Sequence, residues 1–311
     1  MATVEVTPGI HAVDLWDRGR AHHTSGYFIA APRPAVVETG AARSVQVWLG
    51  ALADLGVAPS GIAYVIVTHI HLDHAGGAGA LLRHLPGAQV VVHRHGARHL
   101  ADPGRLIAGA RQVFGEHLEE YFGLPEPVRE ERLLVPEDGG DLDLGGGHRL
   151  RFFDAPGHAR HQHMILDTGS GCLFSGDELG GRFVDIASDY VLPDTAPNQF
   201  DPEAMARSAR LLLTLRPDAV LFSHFGRYPH ECDALSQRLQ EQVEAFVALG
   251  HNGSSPSTWE QVHARLTDHV RRDLAARGVA WTPTVERDLA EHLDVSAQGI
   301  VDYHERRRQS R

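Results

Sequence analysis

The chain has 311 residues, 42% of them hydrophobic, and its net charge at pH 7 is −11, with arginine supplying all of its 29 basic residues. These values provide for a large packed core and argue against an overall basic face for nucleic acid. No apolar run approaches the roughly 20 residues of a membrane span, the amino terminus does not resemble a signal peptide, and two cysteines are too few for a disulfide framework. We therefore expect a cytoplasmic protein with neither a membrane nor a nucleic-acid partner.

The first half of the sequence alternates between strand-like and helix-like segments. Extended patterns are predicted over residues 3–6, 10–15, 24–30 and 35–38. Apolar residues at helical spacing then predict a helix over residues 41–55. The β-branched run AYVIVTH indicates a strand buried on both faces. A helix over 79–84, a strand over 89–93 and a helical region over 97–122 follow.

The second half begins with short strands and ends with helices alone. Strands are predicted over residues 142–144, 148–153, 163–167, 172–175 and 219–223, broken by glycine-rich turns. A helix over 202–215 is expected to be capped by Asp201. The remaining predicted helices cover 234–249, 257–276, 284–293 and 296–308. We predict a strand–helix domain over residues 1–230 and an all-helical extension over residues 231–311.

The stretch THIHLDHAGG, residues 68–77, concentrates ligating side chains within a few positions. In an extended backbone, residues two apart project to the same side, so His69, His71 and Asp73 can converge on one point while His74 aims at a neighbouring point. One stretch can thus contribute to two metal sites. Imidazole nitrogen suits zinc, iron, nickel or copper, and the carboxylate adds manganese.

Two metal ions need more ligands than this stretch holds, because each takes about four, solvent included. Three further candidates follow predicted strands: His158 in APGHARH, Asp177 in FSGDELG and His224 in LFSHFG. Each alone is more often a loop residue without a metal role. Four such sites in this order, all at strand ends, favour a metal centre.

These four motifs, in their order along the chain, resemble those of the metallo-β-lactamase-fold metallohydrolases. The resemblance covers roughly residues 5–230 and implies an α+β fold, a four-layer αββα sandwich with the metals at one edge between two sheets. It also implies two divalent cations, with zinc expected and iron or manganese left open. The implied ligands are His69, His71 and His158 for the first cation, Asp73, His74 and His224 for the second, and Asp177 bridging both.

Such a centre predicts hydrolysis. Paired cations lower the pKa of bound water from 15.7 to roughly 7, so a bridging hydroxide is the nucleophile at neutral pH. Asp73 would orient this hydroxide as well as ligate, which makes it the predicted catalytic residue. We predict a metal-dependent hydrolase that cleaves a small ester, lactone or thioester. Two alternatives stay open, namely an iron-containing oxidoreductase of the same fold, similar to sulfur dioxygenases, and a phosphodiesterase.

Substrate choice in this fold depends on loops and appended segments. His22 and His23 lie in a loop between two early strands, and in such proteins this loop can border the substrate pocket. The helical extension is expected to act as a lid over a small-molecule site, to form a homodimer contact, or only to pack on the core. The sequence leaves these three roles open.

Overall fold

The computed structural model describes residues 3–252 and 255–310, which form two compact units. The first unit comprises Met1–Asp154, His161–Gly176 and Pro217–Tyr228. The second comprises Ala155–Arg160, Asp177–Arg216 and Pro229–Arg311, and so adds two earlier segments to the helical extension. The division into residues 1–230 and 231–311 stays a prediction, because compactness does not establish which segments fold independently.

Two large sheets organise the first unit. The strands of the first sheet are β1 (Thr3–Thr7), β2 (Ile10–Asp14), β3 (Ser25–Ile29), β4 (Ala35–Val37), β5 (Tyr64–Ile66), β6 (Gln89–Val91) and β7 (Leu133–Leu134). They lie side by side in chain order. Pairing is antiparallel from β1 to β4 and parallel from β4 to β7. Parallel pairing brings the carboxyl ends of β4 and β5 to the same edge.

The second sheet has the order β15-β14-β11-β10-β9-β8, and two short ribbons pair β12 with β13 and β16 with β17. These strands are β8 (Asp141–Gly145), β9 (His148–Asp154), β10 (His163–Asp167), β11 (Cys172–Phe174), β12 (Gly181–Arg182), β13 (Val191–Leu192), β14 (Ala219–Phe222), β15 (Gly226–Arg227), β16 (His251–Asn252) and β17 (Ser255–Pro256). Strand β14 joins β11 in parallel, so its carboxyl end lies beside that of β11.

Alternation along β3 explains how the sheets are buried. Tyr27 and Ile29 face the second sheet and share a core with Phe152 and Phe174, whereas Phe28 faces the opposite side in a different cluster. That opposite side packs on the fully buried Trp48, and replacing a buried tryptophan by alanine costs about 3–5 kcal/mol. The predicted α+β fold with two facing sheets is confirmed.

Gly26 is required beside the indole of Trp48. A Cβ atom at Gly26 would lie 2.3 Å from Cζ2 of Trp48, well inside van der Waals contact. The missing side chain therefore lets the indole lie directly against β3. Any substitution here would push the helix that carries Trp48 away from the sheet.

The helices are α1 (Val45–Asp54), α2 (Leu72–Ala75), α3 (Ala78–Leu82), α4 (Ala97–Ala101), α5 (Gly104–Phe114), α6 (Leu118–Phe122), α7 (Pro202–Leu215), α8 (Cys232–Leu249), α9 (Trp259–Ala276) and α10 (Pro283–Gln309). Helix α7 and strand β10 have the predicted bounds, and Asp201 caps α7 by accepting from the amide of Ala204 at 2.9 Å. The region 97–122 is three short helices. Among the described residues, no helix combines the length and apolar character that crossing a bilayer requires.

One prediction for the extension is wrong, because the last two predicted helices are the single helix α10. Asp294 and Ser296 suggested a break, since such residues often turn the chain. The apolar stripe of Leu289, Leu293, Ala297 and Ile300 keeps helical spacing across this point, and all four side chains are buried. Burial of that continuous stripe outweighs the local preference for a turn.

We expect His163 to make the free energy of unfolding depend on pH. Burial lowers the pKa of His163 to about 3, against about 6.5 in an unfolded chain. The unfolded chain therefore binds this proton first, so the stabilisation is full above about pH 6.5 and is lost as the pH falls towards about 3. Within that window, one proton contributes about 1.4 kcal/mol per pH unit to the slope.

Denaturant unfolding of His163→Gln between about pH 6.5 and about pH 4 checks this expectation. The slope of unfolding free energy against pH should be shallower by up to that amount. His84→Gln is the matched control, because it removes an imidazole that is already exposed in the folded protein. An unchanged slope in His163→Gln would assign the proton to another group.

Candidate metal centre

The histidine-rich segment leaves the carboxyl end of β5 and turns into two short helices. His69 lies in the connecting loop, His71 is the N-cap of α2, and Asp73 and His74 lie within α2. The expected extended backbone is therefore wrong for Asp73. A helical turn forms because it buries Leu72 against the core. The ligating side chains thus come from a loop and a helix start rather than from one face of a strand.

His69 and His71 bring two ring nitrogens together. Nε2 of His69 lies 3.0 Å from Nδ1 of His71. On the other side of the ring, Nδ1 of His69 donates to the hydroxyl of Thr68 at 3.1 Å. That hydroxyl in turn donates to the buried carboxylate of Glu38. The chain of hydrogen bonds leaves the lone pair of His69 Nε2 directed towards His71, where a cation can accept it.

Asp73, His74 and His224 form a second group of donors. Oδ2 of Asp73 lies 3.4 Å from Nε2 of His74 and 3.4 Å from Nε2 of His224. Ligand atoms of all three residues lie within 4.8 Å of one another, a spacing that one cation can bridge. Imidazole nitrogen with a carboxylate oxygen suits zinc, iron or manganese. The donor set therefore fits a divalent cation.

The other nitrogens of these two imidazoles are also held. Nδ1 of His74 donates to Glu38 at 3.2 Å, and Nδ1 of His224 donates to the carbonyl oxygen of His23 at 2.7 Å. Each hydrogen bond fixes the tautomer and leaves Nε2 facing Asp73. The loop of His22 and His23 therefore supports a predicted ligand through its backbone.

The electrostatics around Asp73 favour its charged form. Burial raises the pKa of Asp73, but the imidazoles of His74 and His224 outweigh burial and hold that pKa well below its usual range. The carboxylate is therefore ionised throughout the neutral range. An ionised carboxylate can both ligate a cation and accept a hydrogen bond from water.

Glu38 supports the candidate centre, and the sequence patterns did not identify it. Its buried carboxylate accepts from the backbone amide of Thr68 at 3.3 Å and from the hydroxyl of Ser223 at 2.8 Å, besides its contacts with Thr68 Oγ1 and His74. It follows β4 and so lies at the edge where β5 also ends. An acidic residue at the end of the apolar run AVVE is the sequence signal that could have identified it.

The second unit contains His158 and Asp177. Nε2 of His158 lies 3.6 Å from Oδ2 of Asp177. Nδ1 of His158 donates to the backbone carbonyl of Asp194 at 3.0 Å and lies 3.3 Å from its carboxylate. Burial lowers the pKa of His158, but the carboxylate of Asp194 outweighs burial and raises that pKa to about 9. Asp194 thus orients His158 as Glu38 orients His74.

A buried carboxylate also holds the loop that carries His158. Glu178 accepts from the amide of Gly157 at 3.0 Å and from the amide of His158 at 3.0 Å. Burial raises the pKa of Glu178 to about 7. The loop backbone is therefore fixed independently of the imidazole. Neither Asp194 nor Glu178 was predicted, because single acids in loops carry no distinctive pattern.

The seven predicted ligands are distributed over both units. In the first unit His69 contacts His71, and Asp73 contacts both His74 and His224. In the second unit His158 contacts Asp177. The assembly of all seven around two cations stays a prediction. The first unit holds His69, His71, Asp73, His74 and His224, and the second holds His158 and Asp177.

The helical extension lines a cavity of about 360 Å³ within the second unit. Its walls come from the loop that carries His158, the start of α7 and the end of α10. The lining residues are Pro156, Arg160, Gln199, Phe200, Asp201, Glu203, Tyr303, Arg306 and Arg307. Of these residues, Tyr303, Arg306 and Arg307 belong to the extension. The lid, homodimer and packing roles all stay predictions.

We expect Glu38→Gln to weaken both the fold and metal binding. The amide keeps the shape of the side chain but replaces one acceptor oxygen by a donor, which leaves a buried partner unsatisfied at a cost of about 1–3 kcal/mol. Because His74 loses its orienting acceptor, cation affinity should fall about 10- to 100-fold. Thermal unfolding and zinc titration measure the two effects.

Glu120→Gln is the matched control, because that carboxylate is 74% exposed. It should match the wild type in both measurements. Equal stability and equal zinc affinity in Glu38→Gln would show that the carboxylate charge has no part in the site.

Comparison with known proteins agrees with this architecture. The family model described as the metallo-beta-lactamase superfamily matches residues 29–224. The metallo-beta-lactamase fold-containing protein ST1585 of Sulfurisphaera tokodaii is 31% identical over 193 residues, which are 60% of this chain and 70% of that protein. The metallo-beta-lactamase domain-containing protein 1 of Homo sapiens is 41% identical over 198 residues, 63% of this chain and 59% of that protein. Diflavin flavoprotein A 1 of Synechocystis is 28% identical over 194 residues, which span 30% of its own length.

Solved structures extend the likeness of fold beyond the matched residues. The crystal structure of the metallo-beta-lactamase family protein TTHA1429 from Thermus thermophilus has a TM-score of 0.70 at 20% identity and covers 97% of this chain and 95% of its own. That of ST1585 from Sulfolobus tokodaii has a TM-score of 0.67 at 21% identity and covers 94% and 98%. Since the family model spans more than half of the sequence, the chain belongs to the metallo-β-lactamase superfamily.

Proposed function

We propose that this chain is a dinuclear metal-dependent hydrolase that cleaves a small ester, lactone or thioester. The observation that carries the proposal is the convergence of Asp73, His74 and His224, whose ligand atoms lie within 4.8 Å of one another. Membership in the superfamily and the orientation of each imidazole by a second hydrogen bond add support. The donors suit divalent cations and include no thiolate.

The proposed centre takes its two ligand sets from the resemblance of the four sequence motifs. His69, His71 and His158 would hold the first cation, and Asp73, His74 and His224 the second. Asp177 would bridge the two cations. When bound, two divalent cations lower the pKa of water and polarise a substrate carbonyl. The resemblance of the four motifs, in their order along the chain, supports this assignment.

The residues of the chain supply the rest of the chemistry. The ionised carboxylate of Asp73 can accept a hydrogen bond from the attacking water and orient it, as well as ligate. The fixed tautomers of His74 and His224 keep Nε2 directed at Asp73, so the site needs little reorganisation before reaction. Cys172 is a poor nucleophile, because burial raises the pKa of its thiol.

A second candidate function is an iron-containing oxidoreductase of the same fold. The observation that favours it is the match to diflavin flavoproteins, supported by the likeness of fold to the flavodiiron protein from Giardia intestinalis, with a TM-score of 0.56 at 18% identity. The histidines and carboxylates would suit iron as well as zinc. Metal identity in the purified protein separates the two functions.

We expect the purified protein to contain close to two equivalents of zinc and to hydrolyse members of a panel of chromogenic esters, lactones and thioesters. Chelation should abolish turnover, and added zinc should restore it. Asp73→Asn keeps the size of the side chain but removes the charge that orients water, so kcat should fall about 10²- to 10⁴-fold. Asp268→Asn is the control, because this carboxylate on α9 is 62% exposed.

Three outcomes would count against hydrolysis. The first is a protein that binds no metal, and the second is unchanged turnover in Asp73→Asn. The third is iron as the only metal, with oxygen consumption on sulfur substrates and no hydrolysis of the panel. This third result would establish the oxidoreductase instead.

A further inference from the structure

The loop that joins β2 to β3, residues 15–24, has a strained backbone beside the candidate centre. Trp16, Arg18 and His22 have φ angles of 49°, 52° and 56°, in the left-handed region that side chains other than glycine disfavour. Three such residues within seven positions require contacts that hold the loop in place. Those contacts lie on both sides of the loop.

Two aspartates hold the loop from within the first unit. The carboxylate of Asp14 accepts from the amide of Trp16 at 3.1 Å and from the amide of His22 at 2.9 Å. One side chain thus holds the two ends of the loop together. The buried carboxylate of Asp17 accepts from Nδ1 of His23 at 3.0 Å. The side chain of His23 is thus fixed by a residue six positions earlier in the same loop.

Arg18 fixes the loop to the helices α5 and α6. Its guanidinium lies over three aromatic rings, with its Cζ atom 4.5 Å from the ring centre of Phe122, 4.9 Å from that of Tyr121 and 5.6 Å from that of Phe114. The side chain is 12% exposed, and its Nε lies 3.5 Å from Oδ2 of Asp17. A cation held on ring faces and largely removed from water is a strong anchor.

The same loop supports one of the proposed ligands. The carbonyl oxygen of His23 accepts the hydrogen bond from Nδ1 of His224, and the hydroxyl of Thr24 lies 3.5 Å from the same nitrogen. His224 therefore turns its Nε2 towards Asp73 only while the loop backbone keeps this position. The contacts run from the aromatic rings through Arg18, Asp17 and His23 to His224.

We propose that Arg18 is a positioning residue for the second cation, acting through the loop on His224. The inference rests on the proposed function, because it assigns His224 to a metal site. Arg18 reaches the candidate centre through Asp17 and His23, whose carbonyl oxygen holds His224. Its effect should therefore be specific to the cation that His224 binds and should leave the cation of His69 and His71 in place.

The proposal is tested by titrating the metal-free protein with Co²⁺ and measuring each binding event by calorimetry and by visible absorption. The wild type should bind two equivalents. Arg18→Gln removes the cation and should weaken the second binding event about 10- to 100-fold while the first stays unchanged. Arg18→Lys keeps a cation over the rings and should recover part of the affinity. Tyr121→Leu removes one of the three rings beneath the guanidinium and should weaken the second binding event by a smaller factor. This variant serves as the test if Arg18→Gln folds poorly.

Arg271→Gln is the matched control, because Arg271 lies 4.9 Å from the ring centre of Trp281 within the second unit. It loses a similar cation–aromatic pair and should bind both equivalents as the wild type does. Equal binding of both equivalents by the wild type, Arg18→Gln and Tyr121→Leu would overturn the positioning role. So would equal weakening of both events, which indicates general destabilisation. A wild type that binds no Co²⁺ would instead refute the proposed function and the inference with it.

Discussion

The carboxylate of Glu38 is the contact on which the arrangement of the first unit depends. A buried carboxylate is costly unless hydrogen bonds satisfy it, and here the donors come from the ends of strands in both sheets. Thr68 follows β5 and Ser223 follows β14, so the same side chain ties the first sheet to the second. Because Glu38 also contacts His74, the same carboxylate both joins the two sheets and orients a predicted ligand.

The same principle recurs at the other imidazoles. His69, His224 and His158 each donate from Nδ1 to an oxygen, namely a hydroxyl, a backbone carbonyl, and the backbone carbonyl of Asp194. In each of these rings Nε2 faces another candidate ligand atom, which belongs to His71, Asp73 or Asp177. Such support lowers the conformational entropy that is lost when a cation binds, because the rings are already held in place. Ligand geometry is therefore a property of the folded chain itself.

Much of this architecture follows from local patterns in the sequence. The apolar run AYVIV, the glycine-rich turns and the capping Asp201 have physical signatures within a few residues, so strand and helix positions could be predicted. The first predicted ligands were recognisable because three histidines and one aspartate share the short stretch THIHLDHAGG. Their order with later strand ends then indicated the family.

The supporting residues could not be predicted in the same way. Asp194 contacts a residue in another part of the chain, and Asp17 contacts His23 of its own loop without a distinctive pattern, so the folded structure identifies both. Glu38 had only the weak signal of an acid at the end of the run AVVE. Asp73 was expected on an extended segment, but burial of Leu72 favours a helical turn. The break expected near Asp294 failed because a buried stripe extends over both sides of it. In each case tertiary packing outweighed a local preference.

The distance along the chain between Glu38 and Ser223 has a consequence for biosynthesis. These residues are 185 positions apart, so the HIHLDH stretch leaves the ribosome long before the strand that precedes His224 has been made. A cation that its imidazoles bound during that interval would stabilise the unfolded ensemble as well. An excess of metal should then favour the native state by less than its affinity alone implies.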